Sequence, residues 1–171
     1  MGEIRSTMDI IMEKTKDLTM TDGEKEDLSH RELAGKIKGL IQKFLDGITN
    51  LDRLKVEAAA LREGNQDKFD QIIKDEAIKR IELEGTNKPV FTLLGNAVNI
   101  DTAPIHNVLA DCEQKLGNER GVRELELRDR LKGKGISGSA VLSNIKADSE
   151  WKHYLFAIRK EFLKRSMDLK P

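Results

Sequence analysis

The chain opens on a narrow seam. Ile4, Met8, Ile11, Thr15 and Leu18 recur at steps of 4, 3, 4 and 3, with charged residues such as Glu3, Arg5, Asp9 and Lys14 between them. This is the 3.5-residue period of a coiled-coil pair rather than the broad stripe of a helix lying on a globular core. It predicts a heptad helix over about residues 3–18. A helix of roughly 16 residues is marginal alone in water, so Ile4, Met8, Ile11 and Leu18 are expected to dock on a partner, preferably a second chain.

Broader stripes follow. Thr21 and Glu24 in "TDGE" have the spacing of a capping box and restart the helix. Leu28, Leu33, Ile37, Leu40, Ile41, Phe44 and Leu45 then share a helical face up to Gly47. Gly47 suits the left-handed position past a helix end, with Ile48 folding back as its apolar contact. "TNLD", Thr49 to Asp52, repeats the capping-box spacing ahead of Leu51, Leu54, Ala58 and Leu61, and Gly64 ends that helix. Asn65 caps the next, which carries Phe69, Ile72, Ile73, Ala77 and Ile81 and closes at Gly85. Short breaks between amphipathic helices predict helical hairpins over about 22–85.

Residues 88–100 are poor in charge. Val90 to Leu94 have the β-propensity of a buried strand, but Pro89 suits a first helical turn and no second strand offers itself as a pair, so a short buried helix is the expected alternative of the two. Asp101 or Thr102 caps a helix over about 103–131, with Pro104 in its first turn and Ile105, Leu109, Cys112 and Leu116 as its stripe. Gly117 either ends it or is crossed. A Gly-rich connector occupies 133–144. "ADSE" then caps a last helix over about 149–167 with Trp151, Tyr154, Leu155, Ile158 and Phe162 on one face. The reading is a single all-α domain over 1–171, an elongated bundle of helical hairpins with coiled-coil-like packing.

Composition sharpens this. Charged residues are 35% and aromatics 4% of the 171 residues, close to the profile of long helices. No run approaches the roughly 18 apolar residues of a membrane span. Glu3 and Arg5 interrupt any leader-like start. "MGEIRS" fits an acylation pattern, but six loosely specified positions match easily by chance. The single Cys112 forms neither an internal disulfide nor a Cys-x-x-Cys site, and on a helical apolar face it behaves as a small hydrophobe. A cytoplasmic protein without a membrane segment is expected. Net charge is zero, yet residues 117–171 hold 13 Lys and Arg against 8 Asp and Glu. Either the two parts of the chain pack against each other or the C-terminal end offers a basic surface.

Three patterns carry candidate chemistry. "GKGISGS", Gly133 to Ser139, contains Gly-x-Gly-x-x-Gly, but the preceding "LELRDRLK" is helical and charged rather than a buried strand, and no acid lies between Trp151 and Lys160. Ser139-Ala140 stands where a phosphate loop needs Lys-Ser/Thr. The stretch reads as a connector. Asp27 with His30 and Glu150 with His153 have the Asp/Glu-x-x-His spacing of di-iron bundles. Asp27, however, is a short ligand, and Glu150 in a first turn complements the helix dipole. Cys112 and His106 face apart, about 240° around a helix.

No cofactor, metal or catalytic residue is therefore expected. The function expected is that of a non-catalytic helical interaction, scaffolding or adaptor protein, binding a protein partner or itself as a homodimer. The alternative is a nucleic-acid-associated regulator using the basic last helix, where Lys152, Arg159 and Lys164 oppose the apolar face. A metal-binding helical-bundle enzyme comes third.

Overall fold

The computed structural model describes residues 21–138 and 141–169. Among them there is helix and no strand. Six α-helices follow one another: α1 Asp22–Leu45, α2 Leu51–Arg62, α3 Gln66–Ile78, α4 Lys88–Thr92, α5 Ala103–Gly133 and α6 Ser149–Met167. A π-helical turn, Leu93–Ala97, continues α4, and a 3₁₀ turn, Ile145–Ala147, precedes α6. No helix of the described residues is long and apolar enough to cross a membrane. The heptad seam of residues 3–18 lies outside the described residues.

Local chemistry sets most boundaries. The capping box at Thr21 is complete: the Thr21 hydroxyl accepts from Glu24 N–H, and the Glu24 carboxylate accepts from Thr21 N–H at 2.8 Å. Gly47, at φ 72°, closes α1. Its N–H donates to Phe44 O, and that of Ile48 donates to Lys43 O. That is the Schellman pairing. The expected apolar contact is absent, because Ile48 is 72% exposed. The cap of α2 is Asn50 rather than Thr49: the Asn50 side chain accepts from Arg53 N–H at 2.9 Å, while Thr49 is buried. Gly64, at φ 77°, turns the chain into α3, and Asn65 precedes α3 without a side-chain capping bond.

α1, α2 and α3 form a three-helix unit in which α1 packs on both α2 and α3. Its core includes Leu33, Ile37, Ile41, Leu54, Phe69 and Ile73, all buried. α5 and α6 pair with each other, and α6 also rests on α3. The low-charge segment is helical over Lys88–Ala97 and packs its π-helical turn on α2 and α3; Val90, Leu93, Leu94, Val98 and Ile100 are buried. Val98 N–H reaches back to Leu93 O, and Ile100 N–H to Leu94 O. The Asn87 amide closes the preceding turn by bonding both the N–H and the carbonyl of Glu82, each at 2.8 Å.

α5 crosses Gly117 and Gly121 unbroken for 31 residues. Ile105, Leu109, Cys112 and Leu116 are buried as the stripe requires, and beyond Leu116 no residue of α5 is fully buried. Gly135, at φ 77°, and Gly138, at φ 142°, start the connector in backbone conformations that other residues seldom adopt. Asp148 caps α6, its carboxylate accepting from Glu150 N–H at 2.7 Å and Trp151 N–H at 3.1 Å. Trp151, Ile158 and Phe162 are buried; Tyr154 and Leu155 are half-buried.

Trp151 is only 2% exposed, so Trp151→Ala is expected to lower the unfolding free energy by about 3–5 kcal/mol in urea titration. At Asp148 the Trp151 and Glu150 amides hold the carboxyl below its usual range. A depressed carboxyl contributes stability above the unfolded value of about 3.9 and loses it as pH falls through the folded value. Asp148→Asn retains an acceptor but not the titration. The stability difference between parent and variant should therefore shrink below about pH 4, measured by thermal melts at successive pH values.

Candidate interaction surfaces

Charged side chains are sorted by what the helices bring to them. Along the α5–α6 seam, Lys115 of α5 donates to Glu161 of α6 at 2.7 Å, and Arg165 of α6 pairs with Asp111 of α5 and with Glu161. Arg123 gathers Glu119, Glu126 and Glu150. These contacts pull the Glu161 and Asp111 carboxyls below their usual range, chiefly through hydrogen bonds from Lys115 and Arg165 respectively, and raise Lys115 and Arg165. These pairs use carboxylates already counted in the C-terminal balance, and Asp111 is offset by Lys115, so the basic excess of that part remains.

Arg159 is committed inward. Its guanidinium donates to the carbonyls of Lys79 and Ile81, the frayed end of α3, and sits 5.8 Å from the Phe162 ring centre. Lys74 does the converse: almost fully buried in α3, its ammonium donates to Leu169 O just past the end of α6. Each helix supplies a cation to the carbonyl end of the other, where helix C-termini are electron-rich and short of donors. Burial pushes both cations' pKa values down, because desolvation disfavours charge. Of the three residues expected on a basic face, Lys152 and Lys164 are exposed with no ion pair among the described residues, and Arg159 is half-buried. Phe156, 72% exposed, lies one turn from Lys152 and one turn from Lys160. Sequence periodicity marks the inner face of α6 and passes over this outer aromatic.

The His, Cys and carboxylate pairs set aside in the sequence are placed as follows. His30 and His153 are exposed. Glu150 is taken by Arg123, and His153 Nδ1 lies 2.7 Å from Ser149 O. Among the described residues no group of three or more His, Cys, Asp or Glu converges. Cys112 is buried and its thiol pKa is raised by burial first and Glu161 second, whereas His106 is exposed and stacks on Phe91 with ring centres 3.7 Å apart. That stack floors an open depression of about 590 Å³ with Asn87, Lys88, Asn96 and Glu113 at its sides. Glu113 is two turns from His106, roughly 10 Å along the axis.

Two surfaces exceed what the core needs. α1 is exposed at every position from Asp22 to Glu32, including Leu28, before Leu33 enters the core. Beside it, a groove of about 470 Å³ runs between α1 and α2, with Leu40, Leu61, Gly35, Gly39 and Ala60 in its lining and Lys36, Lys43 and Glu57 beside them. α5 likewise continues beyond Leu116 with Val122 and Leu125 in water, 52% and 61% exposed. A scan against protein-family models, a search of curated proteins and a search of solved structures each find no match.

Arg159→Ala is expected to cost about 2–3 kcal/mol, the worth of charge-assisted hydrogen bonds to carbonyls left without donors. Lys152→Ala and Lys164→Ala should leave the melting temperature where it is, so parallel melts of the three variants check the assignment.

Proposed function

We propose that the protein is a non-catalytic helical interaction module, cytoplasmic, that offers its overhanging helices to a second copy of itself and to a protein partner. The observation that supports this is the surplus of helical surface. α5 extends 17 residues beyond its last buried position, Leu116, and exposes Val122 and Leu125 there. Apolar side chains on a helix that no core covers are the anchors that helix-in-groove recognition uses. α1 repeats the arrangement with its unpacked first half. A second reading is supported by Phe156 standing between Lys152 and Lys160: an aromatic flanked by cations with no ion pair among the described residues suits stacking on a nucleic-acid base with phosphates alongside.

Two measurements separate the readings. Sedimentation velocity at tens of micromolar, with capture from the source organism's extract, should show an association that Val122→Glu with Leu125→Glu abolishes without changing helicity. Parent and variant behaving alike, as monomers that capture the same proteins, would remove the interaction reading. Binding to random single strands that weakens steeply with salt, and that Phe156→Ala reduces, would install the second reading instead.

A further inference from the structure

We infer that the outward face of α6 is a track for a single-stranded nucleic acid, with phosphates on Lys152, Lys160 and Lys164 and one unpaired base stacked on Phe156. The inference rests on the second of the readings above, to which it gives a site, a kind of strand and a division of labour among side chains.

α6 sorts its own cations. Arg159 is turned to the carbonyls of Lys79 and Ile81, and Arg165 to Asp111 and Glu161. Lys152, Lys160 and Lys164 are exposed and have no ion pair among the described residues. With Phe156 they stand at steps of four, so the line Lys152, Phe156, Lys160, Lys164 turns only about 40° per step and runs roughly 18 Å along the helix. Trp151, Ile158 and Phe162, on the other side of α6, are buried. His153 and Ala157, exposed beside the line, add no acid. Glu150 and Glu161 lie toward α5, where Arg123 holds the first and Lys115 with Arg165 the second. The first acid beyond the line is Asp168, past the end of α6.

The fold gains nothing from this arrangement. Lys160 and Lys164, four apart, repel each other and disfavour the helix, and the Phe156 ring is 72% exposed. An anionic backbone laid along the line removes the repulsion, and an unstacked base covers the ring. Shape then selects among anions. The face is a convex ridge with one large exposed apolar side chain. Helix-in-groove docking of a protein asks for anchors at i, i+3, i+4 and i+7, and a bilayer asks for a wide apolar face. The other large apolar residues of α6, such as Leu155, Ile158 and Leu163, are spent on the core. A strand asks only for cations along its backbone and a π-face for a base. A duplex keeps its bases stacked on each other, so the strand is single.

Fluorescence anisotropy of a dye-labelled oligothymidylate decamer, titrated with the full-length protein between about 50 and 200 mM salt, separates the two contributions. Three phosphate contacts predict a slope of log K against log salt of about −2, or roughly twentyfold weaker binding across that range. Lys160→Ala should flatten the slope by about 0.7. Phe156→Ala should weaken binding at least about fivefold at every salt concentration and leave the slope alone, while Phe156→Trp holds the affinity. On a duplex of the same length Phe156→Ala should change nothing. All these variants replace exposed side chains and should melt with the parent. Absence of binding at the lowest salt, with protein at hundreds of micromolar, would sink the inference and the second reading together. Binding that Lys160→Ala and Phe156→Ala leave untouched would sink this site alone and put the strand elsewhere on the molecule. Sedimentation with phosphatidylserine–phosphatidylcholine vesicles, in the absence of strand binding, would overturn the inference and give the face to a bilayer. None of the variants touches Val122 or Leu125, on which the interaction reading is tested separately.

Discussion

The junction between the two halves of the molecule depends on what becomes of the carbonyl ends of α3 and α6. A helix end left in an apolar setting presents acceptors without donors, and each unpaired one costs on the order of 1–3 kcal/mol. Here the ends are exchanged: Arg159 of α6 serves Lys79 and Ile81, and Lys74 of α3 serves Leu169. Because each cation reaches the terminus of the opposite helix, the two helices run antiparallel and in one register. The apolar layer of Ile78, Ile81, Ile158 and Phe162 can then close around the contact. Slipping the pair by one turn would strand a buried lysine and a half-buried arginine as well as three carbonyls, so this clasp favours specificity of alignment more than raw stability.

Away from the junction, stability is of the ordinary amphipathic kind. The three-helix unit and the α5–α6 pair each bury one stripe per helix, and the low-charge segment packs its π-helical turn on α2 and α3. The ion pairs along α5 and α6 are solvent-exposed and act mainly to choose which helix faces which. They also decide which cations stay available: those nearest the seam are spent on carboxylates, while Lys152, Lys160 and Lys164 face outward.

Helix positions were largely legible because they follow from local rules. The stripe of Ile105, Leu109, Cys112 and Leu116 reads directly as a buried face, and Thr21 and Asp148 announce their helices through capping chemistry. Where two local rules competed, the reading slipped by a residue: both Thr49 and Asn50 are good caps, and burial of the threonine left the asparagine to serve. Ile48 was expected to fold back because a Schellman turn commonly brings such a contact, but no apolar neighbour covers it in this fold. Lys74 and Arg159 were not legible at all. Their partners lie 95 and 78 to 80 residues away, and nothing in a charged helical repeat distinguishes a lysine that will be desolvated from one that will not. The exposed apolar side chains Val122, Leu125 and Phe156 fall outside the stripes that mark buried faces, and a periodicity that looks for such faces passes over them.

Cys112 gives this architecture a built-in clock. The thiol is buried in α5, and burial first and Glu161 of α6 second push its pKa up. A labelling reagent must therefore wait for the helices to part. Where reclosing outpaces labelling, the modification rate divided by that of a free thiol gives the equilibrium fraction of open molecules. One sulfur atom thus converts the separation of α5 from α6 into a number read by mass spectrometry, with no added probe.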